Sequence, residues 1–140
     1  MIRTRVPPPA QSADDIVPPV PLRDVRPWGH FELVALNQPV TVKVITVAPG
    51  GRLSLQRHQH RDELWQVLDG PLAVQVGDRT WEAGAGDRVW VPRGEVHRAG
   101  NPGAAAGRLL EVAFGVFDEE DIERLDDDYA RAQAPARGGV

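Results

Sequence analysis

No cysteine occurs in this sequence. Disulfide bridges and thiolate metal sites are therefore excluded, and the absence fits a reducing cytoplasm. An excess of charge is lacking as well: 16 Lys and Arg against 20 Asp and Glu leave a formal net charge of −4. That balance supplies no attractive field for nucleic acid or an anionic membrane surface. No apolar run approaches the length of a membrane span, and no signal-peptide apolar segment is visible. Patterns of helical period are scarce, whereas the chain holds 14 Gly and 13 Pro. Turn residues between short β-branched runs point to an all-β domain. With 140 residues the chain makes one domain with room for one real core.

Residues 1–25 carry PPP and VPPVP, and proline fixes φ and removes donors, so an extended or disordered tail is expected there. Order is expected from Arg26-Pro27-Trp28-Gly29, through strands HFELVAL and VTVKVITV. PLAVQVG and RTWEAG predict a hairpin around Gly77-Asp78, and GRLLEVAFGVF predicts the last strand. Asp118 can cap a helix over 118–132, because Ile122, Leu125 and Tyr129 share one helical face. The expected organisation is a proline-rich tail over 1–25, a barrel over 26–117, a C-terminal helix over 118–132 and a frayed end over 133–140. Short antiparallel strands with regular turns suggest a jelly-roll β-barrel with a ligand-sized mouth.

The chemistry concentrates in residues 50–70, GGRLSLQRHQHRDELWQVLDG. Gln56, His58 and His60 alternate with Arg57 and Gln59, and in a strand such residues share one face. Arg61 and Asp62 suit a turn, after which Glu63 precedes the strand LWQVL and the turn Asp69-Gly70. Two neutral imidazoles and a carboxylate from adjacent strands make a site for a divalent ion. Inward polar groups in a barrel need a reason, and a metal supplies one. The competing reading is a polar strand that faces solvent. Glu111 stands in a strand expected to line the barrel, where a buried carboxylate serves as a general base or orients a ligand. Trp65, Trp81 and Trp90 are expected to pack in the core or at its rim.

A second stretch, GDRVWVPRGEVHRAGN over 86–101, completes a pattern. Gly50, Gln56, His58, Glu63 and Gly70 fall in the places of the first cupin signature, G-x5-H-x-H-x4-E-x6-G, with Gln56 where the first histidine stands. Gly86, Pro92, Gly94, His97 and Asn101 match the second, G-x5-P-x-G-x2-H-x3-N. The chain thus resembles the cupin superfamily, which implies a jelly-roll barrel and a metal set of Gln56, His58, Glu63 and His97. His60 has three readings: a ligand in place of Gln56, a group acting on substrate, or a group orienting Glu63.

Arg26-Pro27-Trp28-Gly29, LSLQ-x-H-x-HR-x-E-x-W, VPRGEVHR and the ending DEEDIERLDDDYAR narrow the resemblance. Over roughly 26–131 they look like the type II phosphomannose isomerase cupin domain. That domain usually closes a bifunctional enzyme with a mannose-1-phosphate guanylyltransferase domain, for which this chain has no room. The resemblance implies an aldose–ketose isomerase acting on mannose 6-phosphate and fructose 6-phosphate through an enediol, with one divalent ion (Zn, Mn, Fe, Ni or Co). Glu111 or His60 would move the proton. Lys43, Arg61 and Arg98 match basic positions of the family and suit a sugar phosphate. A cytoplasmic homodimer is the implied assembly, with a small-molecule substrate and neither nucleic acid nor membrane as partner. The chain departs from the family in three places. E-H-W becomes Glu63-Leu64-Trp65, K-V-K-R-I becomes Thr41-Val42-Lys43-Val44-Ile45, and Q-S-G becomes Ala113-Phe114-Gly115. These losses of polar groups keep open an alternative, a non-catalytic metal-containing cupin that binds a sugar or another metabolite.

Overall fold

The computed structural model describes residues 22–129. In chain order the strands are β1 (Leu22–Arg26), β2 (Gly29–Leu33), β3 (Val40–Val47), β4 (Leu55–Arg57), β5 (Arg61–Asp69), β6 (Leu72–Val76), β7 (Arg79–Ala83), β8 (Arg88–Val91), β9 (His97–Gly100), β10 (Gly107–Gly115) and β11 (Glu123–Asp126). β1 and β2 pair as a ribbon. One sheet has the order β3-β10-β5-β8, the other β11-β4-β9-β6-β7. Among the described residues every strand pairing is antiparallel, the order skips between sequence neighbours, and the result is the expected cupin jelly roll. Among the described residues no helix is long and apolar enough to cross a membrane.

Alternation drives the closure of the two sheets onto each other. Trp65 and Val67 of β5, Val89 and Val91 of β8 and Leu109 of β10 meet Leu72 and Val74 of β6 and Ala99 of β9 in one buried cluster. The same period turns Lys43, Ile45 and Val47 of β3 inward, while Val42 and Val44 stay exposed. Registers then set polar residues in rows. Glu111 of β10 lies between Lys43 of β3 and Trp65 of β5, and Ala113 lies opposite Glu63. On the facing sheet Arg124, Gln56, His97 and Val76 form one row across β11, β4, β9 and β6. Asn101 serves the fold: its buried amide donates to the carbonyls of Val47 at 2.9 Å and Ala105 at 2.8 Å.

Four sequence expectations are corrected. Order does not wait for Arg26, because Leu22–Arg26 is already a strand; the rest of the tail expectation, and the frayed end, lie outside the described residues. Arg61 and Asp62 are not a turn but the buried start of β5. There Asp62 accepts from Arg93 through N at 2.8 Å and Nη2 at 2.9 Å, which fastens the turn before His97. The strand expected to carry Gln56, His58 and His60 ends at Arg57. The helix expected over 118–132 is replaced by β11, which pairs with the edge of β4. Asp118 caps no more than a turn, accepting from Glu120 N at 3.0 Å. A helix would need an apolar surface for Leu125 and Tyr129, yet these are 48% and 61% exposed. The acidic residues instead reach arginines of the neighbouring strands, Glu123 to Arg57 at 2.7 Å and Asp126 to Arg98 at 3.1 Å. Tertiary partners outweigh the helical period.

β10 ends at Gly115, where φ is +114° and a Cβ would lie 2.5 Å from the carbonyl oxygen of His60. A side chain there strains the backbone and pushes on the turn at 58–60. Gly115→Ala is expected to lower stability by about 1–3 kcal/mol in urea unfolding, with an unchanged denaturant slope.

Candidate metal centre and cavity

His58 follows β4 and His97 opens β9, and each ring is fixed by one backbone carbonyl. The Nδ1 of His58 donates to Asp121 O at 2.8 Å, and that of His97 donates to Glu95 O at 3.0 Å. A carbonyl only accepts, so Nδ1 carries the hydrogen in both rings and each neutral Nε2 presents a lone pair. Both lone pairs turn toward one carboxylate: His58 Nε2 lies 3.5 Å from Glu63 Oε2 and His97 Nε2 3.6 Å from Glu63 Oε1. Burial drives the pKa of His58 down to about 3 and that of His97 down to about 4, so neither contact is an ion pair at neutral pH. The three residues are almost fully buried, and His97 Nε2 has no hydrogen-bond partner.

An unprotonated nitrogen facing a carboxylate repels it unless a donor or cation intervenes, and none serves His97 Nε2. The three groups offer ligand atoms all within 4.8 Å of one another, and the nitrogen and oxygen donor set fits a divalent ion. Gln56, the register partner of His97, lines the same cavity and brings an amide oxygen. Glu63 is held on both oxygens, accepting from Arg61 Nε at 3.1 Å and Trp65 Nε1 at 3.2 Å. Arg61 also donates to His58 Nε2 at 3.2 Å and lies 4.3 Å from the centroid of Phe117.

The cavity beside this cluster measures about 520 Å³, within the size of a small-ligand site. Lys43 lines it, 3.3 Å from Glu119 and 4.2 Å from the Phe117 centroid. Glu111 lines it too, with a pKa raised to about 7, first by burial, then by the charge of Glu63 and a hydrogen bond to it. Lys43 and Arg61 pull in the opposite direction without cancelling that rise.

Gln56, His58, Glu63, Lys43, Arg61 and Glu111 therefore line one cavity, and His97 joins His58 and Glu63 in the cluster beside it. His60 and Arg98 do not. His60 is exposed, because the strand period stops before it and its amide donates to Asp121 Oδ2 at 3.0 Å. Alternation in β9 turns Arg98 away from His97 toward Leu53 O and Asp126. It lines a separate hollow of about 380 Å³ with Arg52, Gln75 and Thr80. Sequence reasoning missed Ser54, Glu119 and Arg124 on the cavity wall and Asp121 behind His58. Nothing in the sequence marks Ser54; the others were hidden by the helical reading of 118–132.

One departure from the family pattern faces away from the cavity: Leu64 packs on the opposite side of β5 from Glu63 and Trp65, beside Trp90 and Val112 in register. Val44, although exposed, is among the residues that line the cavity. Thr41 and Ala113, paired with each other in the row of Glu63, are the substitutions on the inward side.

The Glu111 shift has a sign that can be tested in metal-free protein. A raised native pKa means that ionisation opposes folding. The penalty is absent below about pH 4.5, grows as pH rises through about 7 and is complete above. Glu111→Gln should gain about 3 kcal/mol of stability relative to wild type across that window. Urea unfolding in chelator at a series of pH values measures it, and a pH-independent difference contradicts the assignment.

Comparison with known proteins agrees with this geometry. The family model described as mannose-6-phosphate isomerase, C-terminal, matches residues 21–127. The alginate biosynthesis protein AlgA of Pseudomonas aeruginosa is 43% identical over 112 residues, covering 79% of this chain and 23% of that one. The xanthan biosynthesis protein XanB of Xanthomonas campestris is 41% identical over 107 residues, covering 76% of this chain and 23% of that one. The chain thus spans about a quarter of the length of the curated relatives it matches. Among solved structures, a sugar phosphate isomerase of the cupin superfamily from Silicibacter pomeroyi superposes with a TM-score of 0.52 at 24% identity, covering 58% of this chain and 53% of that one, a likeness of fold. With a matched family model spanning the whole barrel and relatives above the level at which family is in doubt, this chain belongs to the mannose-6-phosphate isomerase C-terminal family of cupins.

Proposed function

We propose that this chain is a metal-dependent sugar-phosphate isomerase domain that interconverts mannose 6-phosphate and fructose 6-phosphate. The observation that carries the reading is the placement of a buried carboxyl group, Glu111, whose pKa burial raises, in the same cavity as His58, Glu63, Lys43 and Arg61. Family membership supports the substrate class. Glu111 as carboxylate removes the proton from C2 of the aldose and returns it to C1, while the O2 hydroxyl proton passes to O1. Burial, the first cause of its raised pKa, makes it a better base than an exposed carboxylate and suits both halves of that exchange. His58, Glu63, His97 and Gln56 would hold the divalent ion, which as a Lewis acid stabilises negative charge on the substrate oxygens. Lys43 meets the phosphate, and Arg61 adds a second cation while keeping Glu63 in place.

A second reading, a sugar-binding module without turnover, is favoured by the pairing of Lys43 with Glu119 and by the apolar Ala113 on the inward face. The homodimer remains part of the proposal: β3 is the edge of its sheet among the described residues, with Val42 and Val44 exposed. Light scattering giving a monomer mass at micromolar concentration rejects it.

Two measurements divide the readings. Elemental analysis of protein purified without chelator should find one divalent ion per chain, lost in His58→Ala combined with His97→Ala. Incubation of the metal-loaded protein with mannose 6-phosphate in D2O should place deuterium in the sugar. Glu111→Gln should slow that incorporation by about 10²- to 10⁴-fold. Binding of mannose 6-phosphate with no incorporation leaves the module reading in place of the isomerase.

A further inference from the structure

The segment over 116–129 crosses the front of the cavity, which Glu119, Ile122 and Arg124 help to line. Its hold on the metal cluster converges on one residue. Asp121 accepts from three consecutive residues: His58 Nδ1 to its carbonyl at 2.8 Å, Gln59 N to Oδ1 at 3.0 Å and His60 N to Oδ2 at 3.0 Å. Val116 N adds a bond to His60 O at 3.1 Å, and Arg61 Nη1 one to Asp118 O at 3.2 Å. Further anchors are the backbone pairing of β11 with β4, the contacts of Lys43 and Arg61 with the Phe117 ring, and the ion pairs of Lys43 with Glu119, Arg57 with Glu123, Arg98 with Asp126 and Arg52 with Asp128. Such pairs are individually weak and screened by salt. β11 itself is four residues long and its register slips between Arg124 and Asp126. A segment with few buried apolar contacts and polar anchors belongs to the part of a fold that opens most easily.

We propose that Asp121 is a positioning residue of the metal centre, and that through it metal occupancy and docking of the segment over 116–129 are one linked equilibrium. The inference rests on the metal reading above. When the segment leaves, His58 loses the carbonyl that sets its tautomer and ring orientation, and the turn at 58–60 loses the carboxylate that fixes its amides. An ion needs the His58 Nε2 lone pair aimed at Glu63, so it binds the docked form more tightly. By linkage the bound ion holds the segment down by the same factor. Loading the centre therefore shifts the equilibrium toward the docked form, in which the segment covers the cavity. Outer partners of ligating histidines commonly change metal affinity by about 10- to 100-fold, and this coupling should lie in that range.

Zn2+ and Mn2+ affinities measured against a competing chelator, on the full 140-residue chain, test the affinity side. Asp121→Ala keeps the carbonyl but frees both amides, and should bind either ion about 10- to 100-fold more weakly. Asp121→Asn, which retains one acceptor oxygen, should fall between. Hydrogen exchange of the wild type tests the other side and needs no variant to fold. Adding Zn2+ should slow exchange at the amides of Gln59, His60 and β11, and leave the outer edge of the β6–β7 hairpin unchanged. Equal metal affinity in folded Asp121→Ala, or exchange at Gln59 and His60 indifferent to Zn2+ that is demonstrably bound, overturns the inference while sparing the metal site. A wild type that binds neither ion overturns both.

Discussion

Two imidazole lone pairs aimed at a single carboxylate, all three groups almost fully buried beside the cavity, are the constraint around which this domain is arranged. Arg61 answers Glu63 Oε2 and His58 Nε2, but His97 Nε2 is left buried without a donor, and such a group opposes folding. The surroundings show how much of the fold serves to hold this unfavourable set. Arg61 and Trp65 pin Glu63, Glu95 pins His97, and Asp121 pins His58. Asp62, on the other side of β5 from Glu63, fastens the turn that delivers His97. Gly94 in that turn donates its amide to His58 O at 2.6 Å, so the two histidine-bearing segments also hold each other.

Charge around the centre is graded. Neutral imidazoles and Glu63 lie at its base, and Glu111 shares a proton-dependent negative charge one row away. Lys43 and Arg61 stand further toward the segment over 116–129, each over the ring of Phe117. An anionic ligand entering there must exchange with Glu119 for Lys43, a part-buried pair.

β3 was legible because its burial has period two, so Lys43 with Ile45 and Val47 read directly as an inward set. β5 was legible only as the apolar run LWQVL, because its first five residues are buried without alternation, and Glu63 lies inside the strand rather than before it. The turns were legible where glycine or proline demanded them, as at Gly77 and Gly94, both at positive φ. What escaped was decided by partners far along the chain. The period of two through Gln56 and His58 continues on paper to His60, but the strand is cut by bonds to Asp121, some sixty residues away. Ile122, Leu125 and Tyr129 repeat at a helical spacing, yet the unpaired edge of β4 offers backbone bonds and arginines that a helix would forgo. Arg98 was drawn to the site by adjacency to His97, against the alternation that turns it outward.

The central claim is that His58, His97 and Glu63 are ligands of one ion. X-ray absorption spectroscopy of the protein loaded with one equivalent of Zn2+ tests it most directly. The account predicts a first shell of nitrogen and oxygen at about 2.0–2.2 Å, with the outer-shell pattern of two imidazoles. That count should fall to one in His97→Ala, with no sulfur in any sample. A shell of oxygens alone, or an imidazole count unchanged by the substitution, would place the ion elsewhere and contradict the account.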